Sequence, residues 1–222
     1  MPLEVEILPD PESVAARGAE VVAEHAGAAI ADHDRFTFAV SGGRTPWAMF
    51  ADLAGKLTWE KVTIYQVDER IAPDGDPDRN LTQLQRSLPP GGAADVRAMP
   101  VWAADLDEAA AMYADALPEQ LDLVHLGLGP DGHTASLVPG DPVLEVTDRD
   151  VALTAVYQDR RRMTLTYPVL NRAQRVLWLV TGDDKVDALA SLRAGDHTIP
   201  AGRVSTANAL VLADTAAAGS TL

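Results

Sequence analysis

Asp131-Gly132-His133 places an imidazole, the side chain best suited to moving protons near neutral pH, two residues from a carboxylate. The glycines before it, Gly127, Gly129 and Gly132, allow a tight turn that presents Asp131 and His133 together. A second segment, Ser41-Gly42-Gly43-Arg44-Thr45-Pro46, offers backbone N–H groups, two hydroxyls and a cation, with a proline suited to a first helical turn. That combination suits an anion held at a helix start. A third, Asp68-Glu69-Arg70, puts three charges directly after an apolar run and leads through a polar stretch to Asn80. Three charges there are costly unless they are solvated or functional, and a surface loop is the plain alternative. Ser136 is the candidate nucleophile near His133, and their i, i+3 spacing reads as a helix start, not a dyad.

The other histidines carry less. His125 alternates with apolar residues inside an expected strand and reads as a core histidine, whereas His25 and His33 read as surface. With His197 they form no metal-ligand spacing. Gly127-Leu-Gly129-Pro-Asp-Gly132 matches G-x-G-x-x-G, yet Pro139-Gly140 stops any following helix after about one turn, and the match falls on a late strand. A dinucleotide loop is rejected on both counts.

The elements that must position these residues alternate. Strands are predicted over Leu3–Leu8, Phe36–Val40, Val62–Val67, Val96–Val101, Leu123–Leu128, Val151–Val156, Val176–Thr181 and Ala209–Leu212. Helices are predicted over Pro11–Asp32, Pro46–Leu53, Leu81–Leu88, Leu106–Leu117, Tyr167–Ala173 and Asp184–Leu192, with a last turn near Thr215 and a fraying end over Ala216–Leu222. This alternation implies an α/β fold with a mostly parallel sheet and helices on both faces. The chain is expected to form a single domain, residues 1–222. Apolar runs such as Val176–Val180 suit strands covered on both sides, whose carboxyl ends are where ligands bind. The three chemical segments follow Val40, Val67 and Leu128, all strand ends.

Composition narrows the classes. With 18 basic and 33 acidic residues the net charge is −15, which disfavours nucleic acid and anionic membranes as partners. It also repels phosphorylated metabolites, so a phosphate site would be built locally from N–H groups and a few cations. No cysteine is present, which excludes disulfides and thiolate chemistry. The acidic start and the lack of a long apolar run point to a cytoplasmic location.

Together the three segments resemble the 6-phosphogluconolactonases. The matching residues are Ser41-Gly-Gly-x-Thr-Pro46, Asp68-Glu-Arg70, Asn80 and Gly127-Leu-Gly-x-Asp-Gly-His-Thr-Ala-Ser-Leu-x-Pro-Gly140. Arg162-Met-Thr-Leu-Thr166, Leu170-Asn171, Gly182-x-x-Lys185 and Ile199-Pro200 continue the match in order. Arg44, Val138 and the lead Gln158-Asp-Arg-Arg-Arg162 depart from the family pattern. The lead leaves Arg160, Arg161 and Arg162 as rivals for one site cation, with Arg162 in register. The resemblance implies a Rossmann-like, mostly parallel sheet of the type shared with glucosamine-6-phosphate deaminase, no metal, no organic cofactor, and 6-phospho-D-glucono-1,5-lactone as substrate. It is compatible with a monomer or a small homo-oligomer. On that reading His133 is the general base, and Asp131 or Asp68 orients it or binds sugar hydroxyls. Arg70 stabilises the oxyanion or holds the substrate. Gly42, Gly43, Thr45, Arg162 and Lys185 grip phosphate, and Ser41, Arg44, Asn80, Gly129 and Gly132 complete the binding set.

Two rivals share the fold. A glucosamine-6-phosphate deaminase carries a Glu after the Asp-Gly-His turn, where this chain has Thr134-Ala-Ser-Leu-Val-Pro139. A non-catalytic sugar-phosphate sensor needs a DNA-binding segment, for which this sequence has neither spare residues nor suitable charge.

Overall fold

The structure is a computed structural model and describes residues 3–89 and 94–219. Five runs are buried almost end to end: β2 (Phe36–Val40), β3 (Val62–Gln66), β6 (Leu123–Leu126), β9 (Val176–Val180) and β10 (Ala209–Asp214). Side chains alternate across a strand, so apolar residues at every position require cover on both faces. That cover is present. Phe36, Phe38, Val40, Leu177 and Leu179 pack with α1 (Pro11–His33), α2 (Arg44–Asp52) and α3 (Asn80–Ser87). Ala39, Val124, Leu126, Trp178 and Val180 pack on the other side with α4 (Leu106–Asp115), α5 (Tyr167–Arg172) and α6 (Val186–Arg193).

With edge strands β1 (Glu4–Leu8) and β5 (Asp95–Arg97), the sheet runs β1-β10-β9-β6-β2-β3-β5, and every pairing is parallel. The chain order changes direction between β2 and β6, and a crevice opens beyond the carboxyl ends of strands at such a point. Ser41 leaves β2 there, and Gly127 leaves β6.

A second, antiparallel sheet joins β4 (Asp68–Arg70), β8 (Arg162–Leu165) and β7 (Val151–Leu153), with β8 in the middle. Val67 links the two sheets. Its N–H donates to Val40 O at 3.0 Å and its carbonyl accepts from Leu165 N at 2.8 Å.

The expected elements are all found, several of them shortened. The Val96–Val101 strand reduces to Asp95–Arg97, Leu123–Leu128 to Leu123–Leu126 and Val151–Val156 to Val151–Leu153. Lys185 precedes α6 in a 3-10 turn over Asp183–Lys185. Two expectations are corrected. Asp68–Arg70 is a strand and not a loop, and no α-helix follows Gly132. Thr134 bridges Leu137 and Ala135 takes a left-handed φ of 51°, a backbone no helix start adopts. The turn near Thr215 is held by Ala218 N donating to Asp214 O. Met1, Pro2 and the end of the expected fraying segment, Ser220–Leu222, lie outside the described residues.

Candidate active site

A cavity of about 190 Å³ lies at the crevice, lined by Ser41 and Gly42 from the β2 end, Asp68 and Arg70 from β4, and Asn80 from α3. Gly127, Gly129 and His133 from the β6 end, Arg162 from β8 and Lys185 close it. The three sequence segments therefore meet at one place.

His133 is oriented by its neighbour in sequence. Its Nδ1 lies 2.5 Å from Asp131 Oδ1, which also accepts the His133 backbone N–H at 3.1 Å. A carboxylate only accepts, so Nδ1 carries the proton and Nε2 holds the lone pair. Nε2 has no hydrogen-bond partner among the described residues. For Asp131, partial burial pushes the pKa up, but the side-chain and backbone bonds from His133 outweigh it and hold the carboxyl below its ordinary value. Gly129 makes the geometry possible, because a Cβ there would fall on His133 Nδ1. Gly132 does not line the cavity; its carbonyl accepts from Ala201 N at 2.9 Å and ties the turn to the Pro200–Arg203 segment.

Asp68 does not touch His133. Its carboxylate accepts from Ser136 Oγ at 2.6 Å, Asn80 Nδ2 at 3.2 Å and Ser41 Oγ at 3.4 Å. It joins all three segments, and it engages the Ser136 hydroxyl that sequence spacing set beside the histidine. Of the two aspartates left open as partners of the imidazole, the geometry selects Asp131.

The cations are gathered by β4 and β8. Arg70 and Arg162 pair directly across the two strands, and both side chains line the cavity. Like charges opposite each other destabilise a strand pair, so this register favours an anion between them. Burial lowers the Arg162 pKa and the Arg70 charge adds to it, against the opposing pull of Asp68. Arg70 donates to Asn80 Oδ1 at 2.5 Å and Asp78 O at 3.0 Å. Of the three rival arginines, Arg162 reaches this cavity, Arg160 binds Asp76 and Asp78, and Arg161 donates to Thr154 O. Lys185 comes from a turn fixed by buried Asp214, which accepts the Gly182 N–H at 3.1 Å through both oxygens.

Besides Gly132, three expected binding residues stand elsewhere. The Thr45 hydroxyl pairs with Thr181 Oγ1 at 3.0 Å, and Thr45 lines a separate groove with Arg44 and Asp183. Thr45 sits in the first turn of α2, which turns its side chain from the crevice. Gly43 and Arg44 line a neighbouring cavity of about 560 Å³ together with Trp47, Arg70, Asn80, Arg160 and Arg162.

Sequence reasoning missed the supports. Buried Glu69 accepts from Gln66 Nε2, Arg70 N, Asn80 N and Leu81 N at 2.8–2.9 Å, and so anchors the start of α3 beside β4. His125 is fully buried as expected, yet its Nδ1 accepts the Ser41 N–H at 3.3 Å and steadies the Ser41-Gly42 turn. Burial pushes its pKa down to about 3, so it stays neutral. His33 is more than a surface residue, because its Nε2 meets buried Asp122 at 3.1 Å. Tyr157 packs its ring edge-to-face on His133, with centroids 5.9 Å apart. A core-like or loop-like sequence context gave no signal for any of these contacts. Among the described residues no group of three or more His, Asp or Glu gathers as a metal site, and no helix is long and apolar enough to cross a membrane.

Comparison with known proteins agrees with this geometry. The family model for glucosamine-6-phosphate isomerases/6-phosphogluconolactonase matches residues 9–212. Among curated relatives, a 6-phosphogluconolactonase of Nostoc sp. is 35% identical, over 86% of this chain and 85% of its own length. Another from Mycobacterium tuberculosis is 34% identical over 96% of both. Among solved structures, a 6-phosphogluconolactonase from Shewanella baltica superposes with a TM-score of 0.87 at 22% identity, covering 96% of this chain and 97% of that one. A monomeric glucosamine-6-phosphate deaminase does so with 0.85 at 18%, covering 98% and 99%. These structural matches share the Rossmann-like fold across both activities. The cavity, its oriented His133 and the match over nearly all of the sequence lead to one statement: the chain belongs to the glucosamine-6-phosphate isomerase/6-phosphogluconolactonase family.

Proposed function

We propose that this protein hydrolyses 6-phospho-D-glucono-1,5-lactone to 6-phosphogluconate. The observation that carries the reading is His133, tied through Nδ1 to Asp131 and lining a cavity that also holds Arg70, Arg162 and Lys185. Relatives at 34–35% identity over most of the chain are named as 6-phosphogluconolactonases.

The residues suffice for the chemistry. Nε2 of His133 takes a proton from water as the water oxygen bonds to the lactone carbonyl carbon. Arg70 faces the oxyanion that forms, and a donor placed where charge develops stabilises the transition state. The intermediate collapses by breaking the bond to the ring oxygen, and the imidazolium returns its proton to that oxygen. Asp131 keeps the imidazole in the right tautomer and offsets its charge meanwhile. Arg162 and Lys185, with the Gly42 backbone, hold the phosphate. Asp68 and Asn80 present oxygens and N–H groups to the sugar hydroxyls. We place the protein in the cytoplasm, a single domain acting as a monomer or small homo-oligomer on a small soluble metabolite.

The test generates the lactone in place with glucose-6-phosphate dehydrogenase and follows its loss against spontaneous opening. Acceleration at micromolar enzyme supports the reading, and none overturns it. A parallel assay for ammonia release from glucosamine 6-phosphate is expected to stay at background, since no carboxylate lies between His133 and Pro139.

A further inference from the structure

The β7–β8 hairpin ends in a tip that is costly to make. Tyr157 and Arg160 exchange backbone hydrogen bonds, N to O at 3.0 and 3.3 Å, around Gln158 and Asp159. Both central residues have positive φ, 50° and 63°, and neither is glycine. A two-residue turn of this kind is favoured by Asn-Gly or Gly-Gly. Left-handed backbone at a residue with a Cβ costs on the order of 1 kcal/mol or more. Strain of this kind persists where surrounding contacts over-determine it.

The contacts are specific. The Tyr157 ring meets the His133 imidazole at 5.9 Å with planes inclined by 63°, an edge-to-face arrangement. Its hydroxyl donates to Asp131 Oδ2 at 3.5 Å, while the other oxygen of that carboxylate takes His133. The Arg162 guanidinium carbon stands 5.1 Å from the Tyr157 ring centroid, and Arg162 Nη2 donates to Gln158 Oε1 at 3.0 Å. The tip thus touches the proton-handling pair and the buried cation at once. Tyr157 lines neither cavity of the site, so it reaches the reaction only through these neighbours. It also lies beside the segment, Gln158–Arg162, in which this chain departs from the pattern of the proteins it resembles.

We propose that Tyr157 is a positioning residue for the lactone-opening step, its ring holding the His133 imidazole in the plane that aims Nε2 into the cavity. The inference rests on the lactonase reading above. The ring carries most of the effect, because the hydroxyl contact to Asp131 is long for an O–H···O bond. Rotation of the imidazole loses alignment with the attacking water without loosening the phosphate, so the effect falls on kcat more than on KM.

The experiment compares Tyr157→Phe, Tyr157→Leu and Tyr157→Ala with wild type in the lactone assay. Val156→Ala, at an exposed neighbour, controls for disturbance of the tip. Tyr157→Ala is expected to lose about tenfold in kcat with KM changed less than about threefold. Tyr157→Phe, which keeps the ring, is expected to stay within about threefold of wild type, and Val156→Ala unchanged. Should Tyr157→Ala fail to fold, Tyr157→Leu, which has bulk but no aromatic edge, carries the same expectation. A kcat within twofold of wild type for the folded non-aromatic variants overturns the proposal. So does an equal loss in Tyr157→Phe. Imidazole ¹⁵N spectra, assigned with His133→Ala, read the tautomer without turnover. Wild type is expected to show His133 protonated at Nδ1, and Tyr157→Ala a mixture. A lactone assay silent in wild type overturns the functional reading, whereas a wild-type tautomer in Tyr157→Ala overturns the positioning role alone.

Discussion

His133 and Asp131 sit two residues apart on one turn, so their geometry depends on little beyond that turn. Removing the imidazole in His133→Ala is expected to lower kcat by about 10²–10⁴, towards spontaneous opening, with the melting temperature unchanged. Asp131→Asn tests the partner. An Asn amide can donate to Nδ1 and favour the wrong tautomer, so kcat is expected to fall by about 10–100-fold with KM little changed. Steady-state kinetics with a thermal melt checks both. Asp131 and His133 were legible in sequence because a short-range pair is encoded locally. The choice between Asp131 and Asp68 was not, because Asp68 is occupied by Ser41, Asn80 and Ser136, partners 12 to 68 residues away.

At the scale of elements, two glycines define how close segments approach. A Cβ at Gly42 would fall on Asn80 Oδ1, and one at Gly129 on His133 Nδ1. Gly129→Ala is therefore expected to displace the imidazole and reduce kcat at least about tenfold while the fold persists. Circular dichroism and the lactone assay separate the two effects. Glu69 governs a different link. It accepts bonds from four N–H groups of Gln66, Arg70, Asn80 and Leu81, besides the Arg79 guanidinium at 3.4 Å. Glu69→Gln leaves buried donors facing an amide and leaves buried Arg79 with the exposed carboxylate of Asp74 as its remaining ion-pair partner, so a loss of about 3–5 kcal/mol is expected in urea unfolding. The buried parallel strands were readable because cover on both faces writes itself as an unbroken apolar run. The strands β4 and β8 hide for the opposite reason. Asp68, Glu69, Arg70 and Arg162 are polar residues in sheet, satisfied by partners from other elements, and no local pattern announces them.

For the whole molecule, the net charge of −15 surrounds a crevice where Arg70, Arg162 and Lys185 converge. The local field, not the total, decides what anion is held there. The fold also carries a pH response apart from catalysis. His125 resists protonation until about pH 3 when folded, against an ordinary value of 6.5. Below 6.5 the unfolded chain therefore binds a proton that the folded chain refuses, and stability falls as pH drops. The stability advantage of wild type over His125→Gln is expected to shrink by about 1.4 kcal/mol per pH unit between pH 6.5 and 4. Urea unfolding of both proteins across that range checks it.

The edge of the main sheet has a consequence for how the protein is made. Glu4 pairs with Leu210 and Leu8 with Asp214, and β10 is the neighbour of β1 in the sheet. A ribosome adding about 5–20 residues per second leaves β1 waiting roughly 10–40 s for that partner. Through this interval its backbone donors and acceptors face water, the chaperones or other nascent chains. The acidic side chains Glu4 and Glu6 alternate along it and discourage a strand from another chain from adding there.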